Sequence, residues 1–300
     1  MSVNVATQPT IVSETTPRRA RSLGYDAWQR LLSSWNGRVG LVLITVTVLV
    51  GLLAPIVDPY DPSTDSNLAL SRKAPSLQHP FGTDRLGRDI LRRVIHGTRV
   101  SLMIGFIVVF ASGTVGTLLG LLAGYFGKFL DTTIMRLMDV LLAFPAILLA
   151  IAIVAVRGPG LGNTMLAVAV VGVPGYARVM RSLVLSLRER VYVDAARMVG
   201  VSDARIMFLH ILPNSLSPLI IQATLGVGGA ILFAAALGFL GLGVQPPRPE
   251  WGAMIADGLP FLRQAPHMVF FPGIAIMLTV LGFNLLGDGL RDALDPQLRS

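Results

Sequence analysis

The sequence predicts an all-α integral membrane protein with about six transmembrane helices, and three observations carry that class. Of 300 residues, 53% are hydrophobic and only 14% are charged, against roughly 25% charged in an average soluble domain. Mean hydropathy is +0.66. The apolar residues arrive in blocks of about 20, the length that crosses a hydrocarbon core of about 30 Å at 1.5 Å per residue. Too few charges remain to cover a body of this size, so much of its surface is expected to face something other than water.

Residues 1–20 are rich in Ser, Thr and Pro, and 1–24 read as a disordered tail. Arg18, Arg19 and Arg21 are followed by a mixed segment rather than a short apolar run with a small-residue cleavage site, so no signal peptide is expected. In the next segment, 25–37, Trp28, Leu31, Leu32 and Trp35 fall at helical spacing beside Arg30 and Arg38. That pattern predicts an amphipathic helix lying in the membrane interface, with Trp at headgroup level.

Residues 38–300 form the expected membrane domain. The six apolar spans run over about 39–57, 101–126, 134–156, 162–180, 215–243 and 269–287. Asp58-Pro59 stops the first, and Arg157-Gly158-Pro159-Gly160 ends the third. The stretches 58–100, 180–214 and 244–268 are too polar to span. Pro145 and Pro174 interrupt apolar helices and read as kinks, which membrane helices tolerate. Gly116, Gly120 and Gly124 recur every fourth position in the second span, a small-residue face that lets helix backbones approach closely. Gly226, Gly229, Ala234, Ala235, Ala236 and Gly238 give the fifth span a similar face.

With the N-terminus inside, the internal segments hold fifteen Lys and Arg against ten outside. The excess points to both termini in the cytoplasm, although the long 58–99 loop alone carries seven basic residues. The net charge of +8 does not read as nucleic-acid binding, because no basic stripe with interleaved aromatics accompanies it. Cysteine is absent, which excludes disulfides, thiol catalysis and thiolate metal sites. His79, His96, His210 and His267 are scattered without ligand spacing, so no metal site is expected. Gly127-Lys128 lacks the first glycine of a P-loop, so the chain is expected neither to bind ATP by that route nor to act as an enzyme.

The stretch that carries function is the loop 190–213. Residues 192–199 predict a short helix with Asp194 at its positive N-terminal end. Gly200 can adopt the left-handed conformation that terminates it. Ser202 then caps a second helix, which Leu212-Pro213-Asn214 is expected to break before the fifth span. Helix, glycine hinge and helix make a compact knob, and the small side chains of Ala195 and Ala196 leave it smooth enough for another protein's groove.

This loop resembles the coupling loop of ABC importer permeases, whose pattern is Glu-Ala-Ala, three residues, Gly, nine residues, Ile-x-Leu-Pro. Asp194-Ala195-Ala196, Gly200 and Leu212-Pro213 stand at that spacing. The sequence departs at Asp194, where Glu is usual, and at His210, where Ile is expected with Ile211 next to it. Three further stretches are similar to peptide-type permeases: Phe81–Asp89 running on to Gly97–Leu102, Gly241–Pro247 with Glu250–Met254, and Asn284–Pro296. The resemblance is to the "C" permease of the dipeptide, oligopeptide, glutathione and nickel systems, over roughly residues 35–300. It implies the type I ABC importer fold and a peptide path shared with a second homologous permease. It implies two ATPase subunits holding ATP and magnesium, and a periplasmic or lipid-anchored binding protein that delivers substrate. The inner membrane, with both termini cytoplasmic, is the implied location. Asp194, Ala195, Ala196, Arg197, Val199, Gly200 and Ser202 would dock the ATPase.

Several residues keep two readings. Gly82, Gly87 and Gly97 make turns and Asp84, Arg88 and Asp89 pair locally, a reading favoured here over substrate contact. Asp139 lies in the third span, where a charge costs roughly 2.5–3.5 kcal/mol on insertion scales; a salt bridge to a neighbouring helix is favoured, and a place on the translocation path is the alternative. Gln222 and Asn284 are candidates for lining the path or for interhelical hydrogen bonds. The rival class is a self-sufficient secondary transporter or channel, which would call for inverted repeats and midplane charges. A membrane hydrolase would need a nucleophile or metal constellation that the sequence does not display.

Overall fold

The computed structural model describes residues 23–61 and 64–294, and these are helical with turns and loops between. The expected tail lies outside them except for its last two residues, as do Asp295 and Pro296 of the C-terminal stretch. Helix α1 (Leu23–Ser33) leads into α2 (Trp35–Val57) across Ser34, whose hydroxyl caps α2 by accepting from Gly37 N at 3.1 Å. Leu31 of α1 is buried against Gly37 and Gly289, while Trp28 and Trp35 stay exposed. Asp58 closes α2 as the sequence indicated.

Helix α3 (Ile90–Phe126) is 37 residues long, about 55 Å at 1.5 Å per residue, and starts well before the expected span. The carboxylate of Asp89 caps it by accepting from Arg92 N at 3.1 Å. The third expected span is not one helix. It is α4 (Lys128–Ala143) and α5 (Ala146–Arg157), bent 91° from each other. Pro145 is the cause: it pushes the preceding residue out of the helical region, and Phe144 sits at φ −87°, ψ 139°. Pro174, by contrast, is carried inside the unbroken α6 (Leu161–Leu187). This helix continues past residue 180 despite its charges, because Arg181 pairs with Asp131 of α4 through two bonds of 2.5 and 2.6 Å.

A further correction concerns Pro213. Short helices α7 (Val191–Met198) and α8 (Asp203–Arg205) follow α6. From α8 the chain does not break; it runs through a π-helical turn (Ile206–Ile211) and a 3₁₀ turn (Pro213–Ser215) into α9 (Leu216–Phe239). The wide and tight turns re-register the hydrogen-bond ladder around a residue that has no N–H to donate. Leu212 N reaches back five residues to Met207 O at 2.9 Å. Helices α10 (Trp251–Gly258) and α11 (His267–Leu294) complete the chain. Among the described residues, five helical stretches are long and apolar enough to cross a membrane: α2, α3, α6, the rod 203–239, and α11. The count reaches six when α4 and α5 are taken as one broken span.

Small residues set the closest approaches. Gly116, Gly120 and Gly124 of α3 face Tyr176, Ala177, Met180 and Val184 of α6, so the expected packing face is the α3–α6 seam. On α9, Gly226 meets Tyr176, Gly238 meets Glu250, and Ala235 receives the backbone of Gly252. Gly229 differs from its neighbours and faces open space. Ile104, Ile231, Leu237, Val154 and Trp251 lie at the centre of the main core.

At the end of the bundle where α2 stops and α3 begins, the segments 58–61, 64–89 and 244–266 fold into a platform held by charges and one tryptophan. Asp84, 2% exposed, accepts from Leu86 N and Arg88 N at 2.8 and 2.9 Å. Its other oxygen takes Arg88 Nε at 2.7 Å and Arg93, and both arginines are 4% exposed. Asp89 also meets His79 Nδ1 at 2.7 Å. Gly82 and Gly87 both take φ 74° and make the turns of this loop. Trp251 donates its indole N–H to Val94 O at 3.0 Å, with its ring laid over Gly97. Glu250 caps α10 by accepting from Gly252 N and Ala253 N, each at 2.8 Å. Burial pushes its carboxyl above the ordinary range, opposed by those two bonds. The Arg92 guanidinium holds Asp58 below it, through bonds of 2.6 and 2.7 Å.

Candidate functional site

The opposite end of the bundle carries the knob. Its amphipathic helix α7 has one fully buried residue, Val193, which enters a cluster of Leu121, Tyr125, Met180, Val184, Ile206 and Ile211. Asp194 stands in its first turn and Arg197 in its last, each favourable to the helix dipole, and they pair at 3.2 Å. Gly200 has φ 78°, the left-handed position the sequence indicated. Gly200 N returns to Arg197 O and Val201 N to Ala196 O, both at 3.0 Å, so two carbonyls of the last turn of α7 are satisfied. Ser202 stands at the N-cap position of α8, but its hydroxyl makes no capping bond. That side chain is exposed, and Ile206 N bonds to its backbone oxygen instead.

Among the sequence-predicted docking residues, Asp194, Ala195, Arg197, Val199, Gly200 and Ser202 are exposed and Ala196 is half-buried. They lie together between Asp194 and Ser202, on α7 and the turn that follows it. Sequence reasoning missed Val191 and Met198, which form an apolar cap with the predicted Val199; the three are 85, 87 and 79% exposed. Three apolar side chains that far out of a core signal contact with another surface. The same periodicity that buries Val193 leaves them outside.

Also missed were the groups that brace the knob. Arg188, at the end of α6, donates to Gly124 O at 2.9 Å. Tyr125 donates to Asp203 Oδ1 at 2.5 Å, and the Arg197 guanidinium lies over its ring at 5.5 Å. A tyrosine directly after the glycine face of α3, where that helix leaves its apolar run, was the available signal.

The three residues expected along a path are not brought together. Asp139 pairs with Arg178 of α6 at 2.6 Å, the salt bridge favoured from sequence. Gln222 lies beside Gly175, with its buried Oε1 unpartnered. Asn284 is exposed on α11. No hydrogen bond or ion pair links any two of them. A cavity of about 670 Å³ opens between α2, α3, α6, α9 and α11 instead. Phe106, Phe110, Thr114, Tyr176, Ile220 and Phe283 are among the residues lining it, and none of the three path candidates is.

Among the described residues no group of three or more His, Asp or Glu side chains is placed to hold a metal ion. Apolar spans tied by glycine seams, with a braced knob at one end and an ion-paired platform at the other, make this a multi-pass membrane protein. Residues 116–300 match the family described as the binding-protein-dependent transport system inner membrane component. Residues 22–80 match the N-terminal membrane domain of oligopeptide transport permease C. The chain belongs to the binding-protein-dependent transport permeases, a family of transport components rather than catalytic subunits. It is 51% identical to the dipeptide transport system permease protein DppC of Alkalihalophilus pseudofirmus, over 92% of this chain and 90% of that one. The di/tripeptide transport system permease protein DppC of Pseudomonas aeruginosa is 49% identical, over 92% of each. The glutathione transport system permease protein GsiD of Pectobacterium atrosepticum is 45% identical, over 92% of this chain and 91% of its own.

Proposed function

We propose that this chain is one of two homologous permease subunits of an ATP-driven importer whose cargo is short peptides. The observation that carries the reading is the knob: an exposed apolar cap on a short helix that is rigidly tied to the bundle behind it. Docking at Asp194, Ala195, Ala196, Arg197, Val199, Gly200 and Ser202 would bring Val191, Met198 and Val199 against an ATPase subunit. The knob end is then cytoplasmic, both termini are cytoplasmic, and the charged platform faces the binding protein outside. ATP and magnesium belong to the ATPase pair, and this chain holds neither. ATP-driven closure of that pair would rock the two bundles between inward- and outward-facing arrangements, each favoured by a different ligand state.

The substrate path lies between the paired permeases, with Gln222, Asn284 and Asp139 as its candidate polar contacts. Peptide as cargo is supported by the names of the relatives at 51 and 49% identity. Glutathione is the second reading, favoured by the relative at 45%. Reconstitution tests both the class and the cargo. This chain alone in liposomes should move no labelled dipeptide; with its partner permease, ATPases and binding protein it should take up dipeptide only when ATP is supplied. Uptake by the chain alone, driven by an ion gradient, would make it a secondary transporter instead.

A further inference from the structure

Both legs of the knob are tied to the last turn of a single helix. Arg188, on the leg leading into α7, donates to Gly124 O at 2.9 Å. Asp203, on the leg leading out, accepts from Tyr125 at 2.5 Å. Arg197 of α7 itself rests on the Tyr125 ring. Behind these contacts Val193 of α7 is buried in a cluster that includes Leu121 and Tyr125 of the same end of α3 and Met180 and Val184 of α6, while Gly200 faces open space. A displacement of the knob must therefore carry the end of α3 with it or break these contacts.

The other end of α3 is held as firmly. Arg92 binds Asp58 and, at 3.2 Å, Asp65; Arg93 binds Asp84; and Val94 O takes the indole N–H of Trp251 at 3.0 Å. Between the two ends the helix has no proline; Gly97 meets Trp251, Gly105 meets Val227 and Ile231 of α9, and Gly116, Gly120 and Gly124 meet α6. One continuous helix thus joins the knob to the platform across the bundle.

We infer that α3 transmits between the two faces and that Tyr125 is the positioning residue that joins it to the knob. The hydroxyl couples the nucleotide-dependent position of the knob to the platform. This rests on the knob being the ATPase-docking surface, so the test separates the two. In the complete assembly in liposomes, Tyr125→Phe removes the hydroxyl and leaves the ring under Arg197. The ratio of ATP hydrolysis with loaded binding protein to that without it should fall about tenfold, within the range that allosteric couplings span. Cross-linking of Ala196→Cys to the ATPase should persist in the same background. Asp203→Asn, which keeps the carbonyl acceptor, should retain most of the stimulation. Trp251→Phe, at the far end of α3, should lower the same ratio, and the double variant should fall no further than the worse single one, as expected for one shared element.

An unchanged ratio in Tyr125→Phe would overturn the inference. So would an equal fall in hydrolysis with and without loaded binding protein, or additive losses in the double variant. If Tyr125→Phe abolished the cross-link, the residue would be holding the docking surface rather than transmitting from it. Failure of the cross-link with Tyr125 intact would instead remove the docking reading, and this inference with it.

Discussion

Gly116→Val should prevent the permease from accumulating as a folded membrane component. A Cβ at position 116 would lie 2.6 Å from Tyr176 Cβ, 2.6 Å from Val173 O and 3.0 Å from Ala177 N. Two of those atoms are backbone and cannot swing aside, so the α3–α6 seam must open along its length. Overpacking in a well-packed core costs about 1–3 kcal/mol, and contact with backbone lies at the upper end or beyond it. Few forces in lipid compensate, because helix association there rests on close packing rather than on the hydrophobic effect. Gly229→Ala is the matched control on α9: nothing lies within 4 Å of the new methyl, and alanine is the better helix former. Thermal unfolding of the detergent-purified assembly should show a large loss for the first and none for the second. Equal behaviour of the two would mean that the glycine seam does not set the packing.

Asp84→Ala should destabilise the platform nearly as much. Its carboxylate is the acceptor for Arg88 and Arg93, both buried, and for two backbone N–H groups of its own loop. Asp257 pairs with Arg88 only at 3.8 Å, and the ion pair of Arg93 is to Asp84, so Arg93 is the charge left unpaired. Removing one partner of a buried ion pair leaves the other charge unpaired, at a cost of about 3–5 kcal/mol. Arg178 and Asp139 make the contrast: each is more than half exposed within this chain, where an ion pair contributes at most about 1 kcal/mol. Asp84→Asn should fall between, because it keeps acceptors for the N–H groups but not the charge. The readout is the melting temperature of the assembly together with proteolysis of the 58–89 loop. A shift for Asp84→Ala no greater than for Asp139→Ala would show that the platform does not depend on this network.

How much of this was visible in the sequence follows from which force sets each feature. Apolar blocks of membrane length are a composition effect, so the spans were legible, as was the glycine face of α3. Gly200 was legible because a left-handed helix end leaves few residues to choose from. Helix continuity through Pro213 was not, because it depends on a π turn that residue spacing does not announce. Pro145 was seen as a kink, but nothing local told its 91° bend from the unbroken passage through Pro174. Tyr125, Arg188 and Asp203 lie as far as 78 residues apart in the chain. Their juxtaposition comes from the tertiary packing of α3 against α6, and a single sequence does not encode it in any local pattern.

The account turns on the knob being the surface through which another chain's ATP hydrolysis moves this one. Because the native chain has no cysteine, Ala196→Cys introduces a single reactive thiol there. Paired with a cysteine in the groove of the partner ATPase, it should cross-link in the assembled transporter, with a yield that changes when ATP is added. No cross-link in an assembly that still imports peptide would contradict the account.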